Sequence, residues 1–230
     1  MTTGVRPPSI GVSEALKQRH AVRAFRPDPV DPRLLRDIIG TAARAPSGSN
    51  LQPWNVWALI GAPLAGFKAS IAAKFEASEL EKPEYQVYPP GLWEPLRSRR
   101  RIAGAQRYAA LGLPRSEESL RELTRRNYRF FDAPVGLFFS LDRRVGPPQW
   151  ADVGMFMLAV MLLAVERGLA TCPQEIWSNW PQSIAAAIGL PEDQMVFAGM
   201  ALGYADPNSS LNSFRSEREA FDGFARVIGE

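Results

Sequence analysis

The chain has 230 residues but only one cysteine, Cys172, and one histidine, His20. One cysteine excludes an intrachain disulfide framework and a cysteine-based zinc quartet. One histidine argues against a histidine metal cluster. His20 is also a poor base for a Ser-His-Asp triad, because the arginines beside it disfavour its protonated form. Lysine is scarce, found only at Lys17, Lys68, Lys74 and Lys82. The basic side is therefore nearly all arginine, and the net charge is +3, from 27 Lys+Arg against 24 Asp+Glu. So small an excess permits a nucleic-acid partner without arguing for one. No G-x-G-x-x-G follows a strand and no Walker loop occurs, so neither common phosphate cradle is present. The longest nearly continuous apolar run, Val153 to Val165, is short of the roughly 20 residues a bilayer span needs. Met1 to Ser9 has no apolar core of signal-peptide length. A cytoplasmic, soluble protein is the expectation.

What is present is ordinary for a globular fold, with 46% hydrophobic and 22% charged residues. Length and composition favour one domain over 1–230, with a candidate lid or insert at about 83–128. Ser13 is positioned to cap a helix over 13–20. Asp31 and Pro32 open a second helix, whose Leu34, Leu35, Ile38, Ile39 and Ala42 follow the helical period to about Arg44. Helical patterns also cover 63–79, 96–110, 116–128 and 181–187. Trp54–Ile60, Pro134–Leu141 and Met195–Tyr204 read as strands, with a short strand or loop over Ala170–Glu175. Residues 82–95, rich in Pro, Tyr and Trp, read as an irregular loop. Trp150–Arg167 reads as a helix apolar nearly all round, hence buried, and ended by Gly168. Strands separated by helices predict a central sheet sandwiched by helices.

Two segments concentrate polar chemistry. Arg19-His20-Ala21-Val22-Arg23-Ala24-Phe25 places two arginines four apart, where they can grip one anion from two sides or form a solvated patch. About twenty residues on, Pro46-Ser47-Gly48-Ser49-Asn50-Leu51-Gln52-Pro53-Trp54 packs donors and acceptors into a tight loop. Ser47 and Asn50 could equally cap the turn. In this order the segments resemble the signature of the FMN-dependent nitroreductase family, nitrobenzoate-reductase-like branch. In that family, Arg-(Arg/His)-Ser-x-(Arg/Lys)-x-(Phe/Tyr) precedes a Pro-Ser-(Ser/Gly)-x-Asn-x-Gln-Pro-Trp loop. The resemblance continues through Gly168-Leu169-Ala170-Thr171-Cys172-Pro173-Gln174-Glu175, Gly199-Met200-Ala201-Leu202-Gly203-Tyr204 and the basic pair Arg215 and Arg218.

The resemblance implies an α+β fold, a central mixed sheet flanked by helices, and an intertwined homodimer with FMN between subunits. It implies that Arg19 binds the FMN phosphate with Arg215 or Arg218, with His20 and Ala21 adjoining, and that Arg23 sits by the pyrimidine edge. Pro46, Ser47, Gly48, Asn50 and Gln52 would reach the same flavin from the partner subunit. Pro173, Gln174 and Glu175 would lie against the ring near N5. Two departures stand out: Ala21 replaces the usual Ser, and Ile176 follows Glu175 where several relatives have Gly. The implied activity is two-step hydride transfer from NAD(P)H to a nitroaromatic or quinone-like ring, with the chemistry carried by FMN and no catalytic side chain or metal required. Another flavin-dependent reduction (dehalogenation, or reduction of an enoate or aldehyde) stays open. So, from a different class, does a basic nucleic-acid module over 97–126.

Several residues carry two readings. Arg97, Arg99, Arg100, Arg101, Arg107, Arg125 and Arg126 either attract an anionic substrate or sit on solvated helix faces. Tyr85, Tyr88 and Trp93 either cover the flavin or pack their loop. Cys172 is expected to pack. Met155, Met157 and Met161 are expected in the core or a dimer interface.

Overall fold

The computed structural model describes residues 10–229, so Met1–Ser9, read above as lacking a signal core, lies outside the described residues. Helix α1 (Val12–Gln18) is followed by α2 (Pro32–Ala42), β1 (Asn55–Ile60) and α3 (Gly61–Glu76). Two further helices, α4 (Leu96–Ala110) and α5 (Glu117–Tyr128), precede β2 (Val135–Asp142) and the long α6 (Pro147–Glu166). Then come β3 (Ala170–Gln174), α7 (Pro181–Ile188), β4 (Gln194–Gly203) and a short α8 (Phe221–Phe224).

Local chemistry accounts for most boundaries. Asp31 Oδ1 accepts from Arg33 N at 2.8 Å, and Pro32 opens α2 where its missing N–H costs nothing. Ser116 Oγ accepts from Ser119 N at 3.1 Å to start α5. Helix α6 begins at Pro147, three residues before the sequence expectation, because prolines suit a first turn. Helix α1 is capped by Gly11, not Ser13, and has no side-chain cap.

The four strands form one sheet in the order β1-β2-β4-β3, and every neighbouring pair is antiparallel. The parallel component of the expected mixed sheet is a single bridge between Ala21 and Thr171. The sheet separates two cores by strand alternation. On one face Val135, Leu137, Phe139 and Leu141 of β2 meet Leu35 and Ile38 of α2 and Val153, Phe156 and Val160 of α6. On the other, Phe138 meets Phe67, Phe130, Tyr128, Trp177 and Trp180. Each fully buried Leu, Ile or Phe contributes about 1.5–3 kcal/mol, whereas exposed ion pairs add little. The two cores therefore hold the fold.

Helix α6 has 20 residues and is long and apolar enough to cross a membrane by length and composition. It instead turns Val153, Phe156, Val160 and Ala164 into the core. The expectation that it is buried all round fails on its opposite face, where Met155 and Leu158 are exposed at 39% and 38%.

Two glycines of the 199–204 run permit close approaches. A Cβ on Gly199 would lie 2.2 Å from Trp177 Cδ1, and one on Gly203 2.5 Å from Pro134 Cδ. Trp177 cannot yield, being fully buried and stacked on Phe130 at 4.5 Å. Gly199→Ala is expected to lower unfolding free energy by roughly 3 kcal/mol through overpacking. Gly40→Ala, in open space on α2, should raise it by about 0.5–1 kcal/mol. Urea denaturation of both variants checks the pair.

Candidate functional site

The arginine strip follows α1 as an extended segment pinned to the sheet. Val22 N donates to Thr171 O at 3.0 Å and Arg26 N to Tyr204 O at 2.9 Å. Asn212, from the C-terminal tail, fixes it from the other side. Its Oδ1 accepts from Arg23 N at 2.8 Å and Ala24 N at 3.1 Å, and its Nδ2 donates to Ala24 O at 2.8 Å and Asp206 O at 2.9 Å. These bonds bring residues 19–26 and 212–218 together. Sequence reading missed Asn212, since a contact 189 residues away leaves no local signal.

Between the strip and the tail lies a cavity of about 590 Å³ lined by Arg19, His20, Ala21, Arg23, Arg107, Arg215 and Arg218, among others. Burial, and secondarily Arg218, lowers the pKa of Arg19, so the guanidinium lacks compensation. His20 Nδ1 lies 2.9 Å from Gln18 O. A carbonyl only accepts, so Nδ1 carries the hydrogen and Nε2 is an acceptor. Nε2 is buried without a hydrogen-bond partner among the described residues. Burial lowers the His20 pKa below 6.5, and Arg215 and Arg19 add to that, keeping the ring neutral at pH 7.

A second cavity of about 820 Å³ is lined by Tyr85, Tyr88, Arg100, Arg107, Asn127, Pro173, Gln174, Glu175 and Ile176, among others. Gln174 Nε2 donates to Asn127 O at 2.6 Å and to Asn127 Oδ1 at 2.5 Å, while its Oε1 has no partner among the described residues. Asn127, also missed from sequence, thus holds the Pro173–Glu175 segment in place. Burial raises the pKa of Glu175. Ile176 lines this groove and also a smaller 250 Å³ cavity containing Arg23, Arg107, Asn127 and Cys172. Burial pushes the Cys172 thiol up to about 11, which matches the expected packing role and not a nucleophile.

The middle segment divides. Tyr85 donates to Phe197 O and packs edge-on against Trp150 at 5.2 Å. Tyr88 lines the second cavity under Arg100, 4.0 Å from its ring centre, and Trp93 is exposed. Arg97 pairs with Glu94, Arg99 with Glu219, Arg125 with Glu76 and Glu122, and Arg126 with Glu122. The solvated-face reading holds for these four, and it removes most of the free positive charge a nucleic-acid surface needs.

The Pro46–Gln52 loop lines none of these three cavities. It is docked on α6, with Gly48 N 3.3 Å from Asp152 Oδ2, and closed by Gln52 N donating to Ser47 Oγ at 3.0 Å. Ser49, Asn50 and Gln52 all have positive φ, at 48°, 58° and 48°. Non-glycine residues there store strain of the kind found at functional loops. Within one chain the structure unites Arg19, His20, Ala21, Arg23, Arg215 and Arg218 around one cavity and Pro173, Gln174 and Glu175 along the next. It leaves Pro46, Ser47, Gly48, Asn50 and Gln52 apart from both.

A sequence model described as the Nitroreductase family matches residues 16–204. The chain belongs to the nitroreductase family. It is 39% identical to a nitrobenzene nitroreductase of Ectopseudomonas oleovorans over 223 residues, covering 95% of this chain and 98% of that one. It is 37% identical to a chloronitrobenzene nitroreductase of Comamonas testosteroni, covering 97% and 100%. Among solved structures, an FMN and NADPH-dependent nitroreductase, NfnB, of Sphingopyxis sp. strain HMH is similar with a TM-score of 0.92 and 42% identity, over 96% of this chain and 100% of that one.

Two outcomes follow for this nitroreductase-family site. Because folding lowers the His20 pKa, the unfolded chain takes up more protons as pH falls below 6.5. The neutral-ring contribution is complete above that pH and is lost as pH drops through the lowered value. His20→Gln is expected to flatten the fall in Tm of the cofactor-free protein between about pH 7.5 and about pH 5.5, read by scanning fluorimetry. Asn212→Ala leaves two half-buried N–H groups unpaired and should cost about 2 kcal/mol in unfolding free energy, measured by urea denaturation.

Proposed function

We propose that the chain is a cytoplasmic, homodimeric FMN-dependent NAD(P)H oxidoreductase that reduces nitroaromatic or quinone-like acceptors. The carrying observation is the arginine cavity adjoining the Pro173–Glu175 groove. The orphaned His20 Nε2, Arg107 Nε and Gln174 Oε1 beside those cavities fit a ligand that has an anion at one end and a polar ring at the other. FMN has that form, and when bound it supplies the hydride transfer that no side chain here can perform.

Each residue then has a task. Arg19, with Arg215 or Arg218, holds the phosphate. His20 Nε2 accepts from a hydroxyl of the sugar chain. Ala21 offers no hydroxyl, leaving the phosphate to the arginines. Arg23 faces the pyrimidine edge, and Pro173, Gln174 and Glu175 support the ring. The partner subunit's Pro46–Gln52 loop supplies the remaining wall. The exposed Met155 and Leu158 of α6, with exposed Leu51 nearby in the docked loop, support a dimer, since obligate interfaces bury such apolar faces. Residues 83–95 and α4 form the outer wall of the ring groove and act as its lid. Helices α4 and α5 belong to the same single domain.

Purified protein is expected to release FMN at about one per chain on denaturation. Under anaerobic conditions NADPH or NADH should bleach it, and a nitroarene should restore the colour. Protein that takes up FMN and is reduced, yet passes electrons only to an enoate, aldehyde or haloarene, would instead establish the alternative reduction. Protein that takes up no added FMN contradicts the proposal.

A further inference from the structure

Arg107 lines all three cavities described above. It shares the first with Arg19, Arg215 and Arg218, the second with Pro173, Gln174 and Glu175, and the third with Arg23 and Cys172. Its side chain therefore sits where the anion cavity meets the ring groove. Its Nε is buried and has no partner among the described residues. Its charged and titratable neighbours are Arg23, Tyr88, Cys172 and Tyr108, none of them a carboxylate. Burial lowers its pKa, and Arg23 lowers it further.

Its own helix makes the contrast. Arg97 reaches Glu94 at 2.9 Å and Arg99 reaches Glu219 at 2.5 Å, while Arg100 lies over the Tyr88 ring. Those arginines have found partners at the surface. Arg107 is turned inward next to a like charge, an arrangement that destabilises the protein alone unless an anion neutralises it. A guanidinium in that position offers flat, paired donors to planar acceptors.

We propose that Arg107 is a further cofactor-binding residue, contacting bound FMN between its phosphate and its ring and joining Arg23 at the pyrimidine edge. The proposal rests on the FMN reading of the site. FMN is favoured over the acceptor as its ligand because two of the three cavities it lines also hold Arg23, the residue assigned to the pyrimidine edge.

The test uses full-length protein freed of FMN, with Arg107→Gln and Arg107→Lys. FMN affinity is measured by fluorescence quenching. Sulfite affinity of the reconstituted protein is measured by loss of flavin absorbance, because sulfite addition leaves negative charge on the pyrimidine edge and reports a cation there. Arg107→Gln should weaken both by about tenfold or more, the change expected when one charge-assisted hydrogen bond is lost. Arg107→Lys should recover most of the sulfite affinity. The Tm of cofactor-free Arg107→Gln should equal or exceed that of the wild type, since an uncompensated charge is gone.

Unchanged FMN and sulfite affinities overturn the proposal. So does a lower Tm of the cofactor-free variant, which would mark a structural role. A rise in KM confined to carboxylated nitroarenes, with both affinities intact, also overturns it by assigning Arg107 to the acceptor. If wild-type protein binds no FMN, the underlying reading fails and takes the proposal with it.

Discussion

Like charges drawn together in a partly dry cavity need an anion, and this constraint organises the candidate site. Arg19, Arg23, Arg107, Arg215 and Arg218 come from three separate stretches of chain and line one space. Bringing them together opposes folding, because Arg19 and Arg107 lose water and none of the five is paired with a carboxylate among the described residues. The fold tolerates it because backbone bonds, not ion pairs, fix the segments. Thr171, Tyr204 and Asn212 hold the strip through main-chain groups, while the guanidinium groups of Arg23, Arg215 and Arg218 donate only to backbone and serine oxygens. The same charges would neutralise a bound phosphate, so stability given up in the empty fold returns as binding energy.

The sheet explains why the site lies where it does. The strip runs beside β3, and Gln174 is the last residue of that strand. Glycines at 199 and 203 let Trp177 and Pro134 press onto β4, which locks the segment after β3 against the aromatic core. A rigid platform on one side and a strained, exposed loop on the other fit a site shared between two chains. Asp152 ties that loop to α6, so the helix bearing the exposed apolar face also positions the loop.

Features with local causes were legible in the sequence. The Asp31–Pro32 start of α2, the 116–128 span of α5, the Leu96–Ala110 span of α4 and the strand positions all follow from capping, period and turn chemistry. The α1 cap was misread because Gly11 leaves no side-chain signal, and the α6 start because prolines read as loop before they read as first turn. The expectation of a mixed sheet overstated one parallel bridge. The candidate cofactor residues come from family resemblance and not from spacing, since for two arginines four apart the solvated patch is the preferred reading. Asn127 and Asn212 were hidden because their hydrogen bonds join segments that only the folded chain brings together. Of the many arginines, the sequence could not tell paired from unpaired. Arg97 and Arg107 look alike until Glu94 is found beside one and no carboxylate beside the other.

The central claim is that one chain holds the arginine cavity while another supplies the Pro46–Gln52 loop. Subunit complementation tests it most directly. Arg19→Glu should repel phosphate, and Asn50→Trp should block the loop's wall of the ring groove. Each variant alone is expected to bind little FMN. A mixed dimer has one site carrying both defects and one carrying neither, so co-refolded chains should regain FMN binding in about half the sites of the mixed dimers. A mixture that binds no more FMN than either variant alone would contradict the shared site.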